Sequence, residues 1–330
     1  MAKRDVIVVG ASAGGVEALK TFVATLPKDL AASIVVVVHV SAHAESVLPA
    51  ILTRSGPLPA KKATDGDRLE HGHIYVAPPD HHVLVADDHL RVTRGPRVNN
   101  HRPAIDPLFR SAARRVGPRA IGIVMSGVLD DGTAGASAIK ARGGAVIVQA
   151  PSDALYPAMP QSVLDRVSVD ACVPVAEMVN VIVPLTALTV PEVEKKPMPD
   201  NDMELEEPNE EHTHGPPTMF TCPDCHGTLW ERDHAGVLEY RCHVGHAFSP
   251  DNWIAAQSEE LEDALWAAYR TLRESAVFCK RLADRSRKQG LLRVAKQYET
   301  RSAEAADRAA LIRRTLELGH AAPKDESGEA

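Results

Sequence analysis

Residues 6–15 read VIVVGASAGG, a run of β-branched residues that leads directly into a glycine-rich turn. This pattern is typical of a buried parallel strand followed by a tight turn and a helix. Two kinds of site fit it. A dinucleotide-binding turn would cradle a phosphate, whereas a nucleophile elbow would expose the Ser12 hydroxyl at the end of the strand.

The spacing of the small residues favours the nucleophile. A dinucleotide fingerprint reads G-x-G-x-x-G, and its second glycine lets the backbone approach the pyrophosphate. Ser12 stands at that position, and the second predicted strand ends in His39 instead of the acidic residue that would bind a ribose. GASAG fits G-x-S-x-G, in which a sharp turn presents a serine Oγ. The alternative is a tight turn that needs small residues only for its shape.

Further apolar runs predict the rest of the fold. They alternate with segments of helical spacing from Asp5 to about Leu188 and comprise IVVVVHV, AIGIVMS and AVIVQA. Continuous apolar runs are typical of parallel strands covered on both faces, so we predict an α/β domain with a doubly wound, mostly parallel, Rossmann-like sheet. The segment HIYVAPPDHHVLVADDHLRVTRG alternates in polarity and predicts a hairpin at the edge of that sheet.

The composition limits the classes of function. The 330 residues carry a formal net charge of -7 at pH 7, which argues against a nucleic-acid partner. No apolar run approaches the ~20 residues of a membrane-spanning helix, so the chain is not expected to be embedded in a membrane. Five cysteines, two of them in a C-x-x-C pair, suit a metal site in a reducing cytoplasm better than disulfides.

Polar groups follow the carboxyl ends of three separate predicted strands, namely Ser12, His39 and the pair Asp130 and Asp131. Open parallel sheets build their sites at that edge. A serine, an imidazole and a carboxylate can act there as nucleophile, general base and the group that orients the base. Spacing alone does not choose between Asp130 and Asp131.

Six stretches resemble, in order and spacing, the catalytic domain of the CheB-type chemotaxis protein-glutamate methylesterases. They are GASAGGVEAL, VVHVSAH, HGHIYVAPPDHHV, NNHRPAIDPLF, MSGVLDDGTAG and ALYPAMPQSVLD. The resemblance implies a hydrolase that removes glutamate γ-methyl esters from methyl-accepting chemotaxis receptors, releases methanol, and in some members deamidates receptor glutamines. By position, it implies Ser12 as nucleophile, His39 as base and Asp131 as the acid of the triad.

The chain departs from the family's pattern at two positions near the serine. Ala13 stands where many members have threonine, and Val128 corresponds to the family's methionine near the oxyanion hole. Neither change removes a backbone N–H donor of the kind that such holes use. Met159 is implied as part of the cleft wall. His101 and Arg102 either face an acidic receptor segment near the cleft or belong to the cap of the following helix.

Composition divides the chain into a catalytic domain (1–188), an acidic proline-rich linker (189–218), a metal-binding module (219–250) and a helical hairpin (251–320). The linker is poor in aromatic residues and is predicted to be disordered. The family's N-terminal receiver is expected to be missing, so the C-terminal segments are the expected source of regulation. The heptad-like spacing of the hairpin predicts that it packs on itself, on a partner or on a second copy.

The C-terminal module has the ligand spacing of a structural zinc site. Cys222, Cys225, Cys242 and His246 form C-x2-C, a gap, then C-x3-H, and can close a tetrahedral shell. His243 is the competing fourth ligand. Four protein ligands leave no open position for water, so the zinc is expected to be structural and no catalytic cofactor is expected. The alternative to an enzyme is a catalytically weakened scaffold that acts through this module and the hairpin.

Overall fold

The structure, a computed structural model, describes residues 2–43, 46–191, 217–234 and 236–319. The chain divides into two compact units, Met1–Ile254 and Ala255–Ala330. Most of the predicted linker lies outside the described residues. Among the helices that the structure describes, none combines the length and the apolar character that crossing a bilayer requires.

Short strands alternate with helices in the first part of the first unit. The strands are β1 (Ala2–Lys3), β2 (Val6–Ala11), β3 (Ser33–Val38), β4 (Ala60–Lys62), β5 (Ile74–Val76), β6 (His82–Val85), β7 (Leu90–Thr93), β8 (Ala120–Val124), β9 (Ala145–Gln149), β10 (Ala171–Val173) and β11 (Thr189–Val190). The helices are α1 (Gly15–Thr25), α2 (Leu48–Ser55), α3 (Ile105–Arg115), α4 (Thr133–Ala141), α5 (Ala158–Arg166) and α6 (Met178–Ala187).

Seven of the described strands form a parallel sheet in the order β10-β9-β8-β2-β3-β5-β4. The apolar runs form strands here because both faces of the sheet are buried. In β2, Ile7 and Val9 pack into one hydrophobic cluster, and Val6 and Val8 pack into the cluster on the opposite face. The predicted doubly wound α/β class is therefore confirmed. From β2 the chain first adds β3, β5 and β4 on one side, and it later adds β8, β9 and β10 on the other side. The carboxyl ends of β2, β3 and β8 therefore lie at the switch point of the sheet, where the strand order reverses.

The middle segment differs in part from the predicted edge hairpin. Strand β5 is an internal member of the parallel sheet, between β3 and β4, and all of its residues are buried. Strands β6 and β7 do form an antiparallel hairpin, but it is a separate two-stranded sheet. The run IYV is apolar throughout, which suits a strand covered on both faces, and this distinguishes it from the alternating segment that follows.

A second, antiparallel sheet lies in the same unit. Its strands, in spatial order, are β12 (Pro217–Thr221), β13 (Thr228–His234), β14 (Val237–Cys242) and β15 (Ala247–Phe248). This sheet packs on the α/β layer: Asn99 N donates to Ala247 O at 2.7 Å, and Ala247 N donates to Arg97 O at 3.3 Å. The module predicted over residues 219–250 therefore lies within the first compact unit. Composition marks where such a module begins, but it does not show what the module packs against.

The predicted C-terminal helices are confirmed as α7 (Pro250–Lys288) and α8 (Leu292–Gly319). Gly290 lies between them with a left-handed φ of 78°. Small side chains such as Ala276 and Ala309 are buried between the two helices of the second unit, and Ser302 Oγ donates to Ala276 O at 2.8 Å. Small residues at these positions allow the two helix backbones to approach closely.

Candidate active site

Ser12 lies on a sharp turn between β2 and α1. Gly14 in this turn has a left-handed φ of 73°, and a Cβ there would lie 2.7 Å from Ser126 Oγ, so the turn requires glycine. A Cβ on Gly10 would lie 2.4 Å from Ile105 Cγ2, so the absence of a side chain lets α3 pack directly on β2. The glycines of GASAG thus support a close-packed turn that presents Ser12 at the end of the sheet.

The imidazole of His39 joins Ser12 to Asp131. His39 Nδ1 lies 3.1 Å from Ser12 Oγ, and His39 Nε2 lies 2.8 Å from Asp131 Oδ2. When Nε2–H donates to the carboxylate, Nδ1 carries the lone pair that can accept the Ser12 hydroxyl proton. The side chains of His39 and Asp131 are only 6% and 2% exposed. The structure therefore brings together three side chains that follow separate strands.

Among the described residues, four hydrogen bonds hold the Asp131 carboxylate. Besides His39, Oδ2 accepts Ile105 N at 2.7 Å, and Oδ1 accepts Asn99 Nδ2 at 2.9 Å and Asp106 N at 3.2 Å. Ile105 and Asp106 begin α3, so the carboxylate occupies a helix N-terminus. Burial alone would raise the pKa of Asp131, but the hydrogen bond and charge of His39, with the other donors, lower this pKa well below its ordinary value.

The neighbouring acid, Asp130, has different partners. Its Oδ1 accepts Ser249 Oγ at 2.6 Å and Asn252 Nδ2 at 2.5 Å, and burial raises its pKa. The residues on either side of the two acids have left-handed backbone conformations, with φ 60° at Leu129 and 97° at Gly132. Of the two candidates left open by spacing, it is Asp131 that contacts the imidazole, while Asp130 binds the C-terminal part of the unit.

His101 stacks on the ring of His39, with ring centroids 3.6 Å apart and planes 15° apart. Burial, and then the charge of His39, lower the pKa of His101 to about 4, so this ring is neutral at neutral pH. Arg102 donates from Nε and Nη2 to Asp80 Oδ1 at 2.8 and 2.6 Å and from Nη1 to Gly95 O at 2.8 Å. Both residues line a cavity of about 370 Å³ beside His39. Their contact with a substrate stays a prediction.

The turn after β8 runs alongside Ser12. Ser12 N donates to Ser126 O at 2.9 Å, and a Cβ on Gly127 would lie 2.9 Å from Ser12 Cβ. In the described part of the chain, the backbone N–H groups of Ala13 and Val128 form no hydrogen bond. These two groups are therefore available to a substrate oxygen, at the positions where the sequence predicts the oxyanion hole.

Met159 lies behind this turn and is fully buried. Its N–H donates to Gly127 O at 3.0 Å, and a Cβ on Gly127 would lie 2.0 Å from Met159 Sδ. Met159 therefore supports the turn from the protein interior. A direct part of Met159 in the cleft wall stays a prediction.

Two residues that touch the carboxylate of Asp131, Asn99 and Asp106, were not identified from the sequence. Both lie in the stretch NNHRPAID, in which the sequence indicates only His101 and Arg102 as candidate functional residues. Asn99 has a left-handed φ of 52°, and the paired asparagines are a signal for such a turn. No spacing rule, however, links this asparagine to an aspartate 32 positions away.

The four predicted metal ligands also come together, in the C-terminal module. The ligand atoms of Cys222, Cys225, Cys242 and His246 all lie within 4.8 Å of one another, and His243 is exposed and outside this group. The hydrogen bond between the thiols of Cys222 and Cys242 raises the pKa of the former and lowers that of the latter. A thiol held as thiolate is the form that binds metals.

Comparison with known proteins finds one family over the α/β layer. Residues 7–182 match the model of the CheB methylesterase family. Two relatives carry the names of two activities, protein-glutamate methylesterase and protein-glutamine glutaminase. One, from Leptospira interrogans, is 37% identical over 167 residues, which are 50% of this chain and 86% of that protein. The other, from Geobacter metallireducens, is 37% identical over 177 residues, which are 52% of this chain and 48% of that protein.

A solved structure agrees with this fold. The crystal structure of the Thermotoga maritima CheB methylesterase catalytic domain is similar with a TM-score of 0.54 and 30% sequence identity. The similarity covers 99% of that domain and 56% of this chain. The chain thus spans the whole of that catalytic domain and about half of the Geobacter relative.

Proposed function

The chain belongs to the CheB methylesterase family, and from this membership we propose that it is a serine hydrolase that cleaves glutamate γ-methyl esters on chemotaxis receptors. The observation that carries the proposal is the hydrogen-bonded series Ser12, His39 and Asp131 at the switch point of the sheet. The names of the relatives add the deamidation of glutamine, and we include it as a second activity of this site.

The proposed reaction begins at the Ser12 hydroxyl. Ser12 Oγ attacks the ester carbonyl carbon while its proton passes to His39 Nδ1. Asp131 stays ionised, because its pKa is lowered, and its carboxylate stabilises the imidazolium through the hydrogen bond from Nε2–H. The neutral His101 ring stacked on His39 places no second positive charge against that imidazolium.

The tetrahedral intermediate then loses its leaving group. The free N–H groups of Ala13 and Val128 are the proposed donors to its oxyanion. When the carbonyl re-forms, the methoxy oxygen takes the proton from His39 and leaves as methanol. Water then attacks the resulting glutamyl ester of Ser12 and gives a proton to His39. Ser12 Oγ takes this proton from His39 as it leaves, which regenerates the serine hydroxyl and the neutral imidazole and releases the glutamate carboxylate.

The cavity beside His39 is the proposed approach for the receptor segment. Its lining contains Arg97, Arg102 and Asp80, so the two arginines outnumber the carboxylate and the remaining positive charge complements the acidic segments that carry methylated glutamates. Because Arg102 is already bound to Asp80, its proposed contribution is to the local charge and to the shape of the cavity wall.

The direct test is methanol release from a receptor that carries labelled methyl esters. We expect release by the wild-type chain, and a fall of about 10³-fold or more for Ser12→Ala, because the residual activity then rests on binding and the oxyanion hole alone. Ser168→Ala is the matched control, since Ser168 is exposed near the amino end of β10, at the opposite edge of the sheet from the site. The control should retain wild-type activity.

The main alternative is a scaffold without esterase activity. If the wild type and Ser12→Ala were equally inactive, or equally active, the proposed triad would be wrong and the scaffold would be favoured. Retention of receptor binding without methanol release would point the same way.

We place the protein in the cytoplasm. The three clustered thiols of the C-terminal module remain available as metal ligands only where cysteines stay reduced, which is the condition of the cytoplasm. Fractionation of cells that express the full chain tests this location.

A further inference from the structure

The Cys222, Cys225, Cys242 and His246 cluster has the dimensions of a tetrahedral zinc shell. Ligands at ~2.3 Å (sulfur) and ~2.0 Å (nitrogen) from one zinc ion lie about 3.5–3.8 Å from each other. Cys225 Sγ lies 3.6 Å from Cys242 Sγ, and His246 Nδ1 lies 3.7 Å from Cys222 Sγ and 3.5 Å from Cys242 Sγ. A disulfide would instead need ~2.05 Å between sulfurs.

The backbone and a neighbouring carboxylate support the same geometry. His226 N donates to Cys222 O at 2.8 Å and Cys242 N donates to His246 O at 3.0 Å, so each ligand pair lies on a tight turn. The imidazole of His246 has its Nδ1 toward the thiols of Cys222 and Cys242, and its Nε2 lies 3.9 Å from Asp224 Oδ2. A carboxylate behind a metal-bound histidine commonly fixes the orientation of its ring.

The ligand turn docks directly on the loop before α3. Ala247, which follows His246, exchanges backbone hydrogen bonds with that loop: its O accepts Asn99 N at 2.7 Å, and its N donates to Arg97 O at 3.3 Å. Ser249 N then donates to Asn99 Oδ1 at 2.8 Å. The backbone N–H and the side-chain oxygen of Asn99 are thus bound by Ala247 and Ser249, which follow the candidate zinc ligand His246 within three positions.

The other end of the Asn99 amide holds the catalytic carboxylate. Asn99 Nδ2 donates to Asp131 Oδ1 at 2.9 Å, and Asp131 Oδ2 binds His39. Asn99 is only 2% exposed, so water does not compete well for these bonds. A second bond series runs from Ser249 Oγ to the adjacent Asp130. The module therefore contacts Asp130 directly and is connected to Asp131 through Asn99.

We propose that this cluster binds one zinc ion and that the zinc-bound module positions Asp131 for catalysis through Asn99. Asn99 is a positioning residue, because it acts on Asp131 and does not touch the reacting atoms. Four protein ligands close the shell, so the zinc takes no part in the chemistry itself. The catalytic half of this inference rests on the proposed esterase function, whereas the metal half does not.

A small module of this kind depends on its metal. Strands β12 and β15 are short, and most side chains of β12 are exposed. Zinc binding supplies the folding free energy that so small an apolar core lacks. Loss of zinc should therefore release Ala247 and Ser249 from Asn99, so that only the bonds from Nδ2 to Asp131 and Asp106 still orient the amide, which then holds Asp131 less firmly.

The metal half is tested by the metal content and the spectrum of the purified full chain. We expect about one zinc per chain by mass spectrometry, and cobalt substitution should give the strong visible bands of a tetrahedral thiolate site. His246→Ala and Cys222→Ser should lose the stoichiometric metal. His243→Ala is the matched control and should retain it, because this exposed side chain lies outside the cluster. A folded wild-type chain without zinc would overturn the site.

The catalytic half is tested by stripping zinc from the full chain with a chelator and then reloading it. We expect kcat for methanol release to fall about 10–100-fold with little change in KM, and to recover on reloading. Asn99→Ala should cost a similar factor in the loaded chain, but only a small further factor after zinc removal, because both changes break one series of contacts. Asn180→Ala on the exposed side of α6 is the control.

Two outcomes would overturn the catalytic half. One is a zinc-free chain with the kcat of the loaded chain; the other is an Asn99→Ala effect that simply multiplies the effect of zinc removal. Labelling of Ser12 by a fluorophosphonate gives a readout that needs no receptor, and its rate should fall in parallel with kcat. If the loaded wild type neither releases methanol nor is labelled, the proposed esterase fails together with the catalytic half, while metal content still decides the metal half.

Discussion

At the scale of single residues, two adjacent carboxyl groups have opposite electrostatic surroundings. Asp131 is buried, but the imidazole of His39 and three further donors stabilise its ionised form. Burial raises the pKa of Asp130, and the hydrogen bonds that it accepts from the uncharged Ser249 and Asn252 side chains oppose this shift without reversing it. The carboxylate that stabilises the imidazolium in the proposed mechanism is thus the one that the structure keeps ionised.

This difference predicts unequal effects of two isosteric substitutions. Asp131→Asn should lower kcat roughly 10⁴-fold, because an amide cannot stabilise the His39 imidazolium and favours the wrong tautomer. Asp130→Asn retains an oxygen for Ser249 and Asn252 and should lower kcat by less than about tenfold. Methanol release by the two purified variants is the measurement. Equal losses would show that contact with His39 does not distinguish the two acids.

At the scale of elements, each of the helices α3 and α4 has its first N–H groups bound by an aspartate that belongs to, or lies just before, the other helix. The first N–H groups of α3 donate to Asp131, which lies two positions before α4 begins. In return, Gly135 N in the first turn of α4 donates to Asp106 Oδ1 at 2.6 Å. Neither helix has a side-chain cap from its own N-cap residue, Ala104 or Gly132. The same bonds that start the helices therefore fix the acid of the site.

This exchange predicts a stability cost for Asp106→Ala. The change removes the acceptor of Gly135 N and one acceptor of Asn99 Nδ2, both in a buried environment. We expect the free energy of unfolding to fall by about 1–3 kcal/mol. Urea denaturation followed by circular dichroism measures it. Asp165→Ala on the exposed face of α5 is the control and should cost less than about 0.5 kcal/mol; an equal cost in both variants would contradict the capping role.

The features that the sequence predicts are those that depend on a short continuous stretch of residues. Strands β2, β3, β8 and β9 are buried on both faces, so each appears as a continuous apolar run. The polar residues that follow three of these strands then predict the site. The internal position of β5 in the parallel sheet was not predictable, because it depends on pairing with β3 and β4, which no local pattern records.

At the scale of the whole molecule, the first unit joins segments that composition separates. Asn99 and Ser249 are 150 positions apart, yet a hydrogen bond connects them. The C-terminal module resembles an independent domain in sequence, because its ligand spacing and the preceding acidic stretch mark it off. Its contacts with the α/β layer come from tertiary packing. The sequence predicted which four side chains come together as candidate metal ligands, but not where the module docks.

The stability of this unit should depend on pH through a buried histidine. His82 is fully buried, its Nε2–H donates to Pro96 O at 2.9 Å, and its Nδ1 accepts Ala104 N at 3.3 Å. Burial lowers the pKa of His82 from 6.5 to about 4. The unfolded chain therefore takes up this proton first as the pH falls, so the stabilising contribution is complete above about pH 6.5 and is lost toward pH 4.

We expect protonation of His82 to remove about 3 kcal/mol of the free energy of unfolding between pH 7.5 and 4. His82→Gln should show a smaller loss over this interval, because glutamine can form the same two kinds of hydrogen bond without titrating. Urea denaturation at a series of pH values measures both slopes. His89→Gln, at an exposed histidine, should keep the wild-type slope. If wild type and His82→Gln lost stability in parallel, other groups would account for the acid sensitivity.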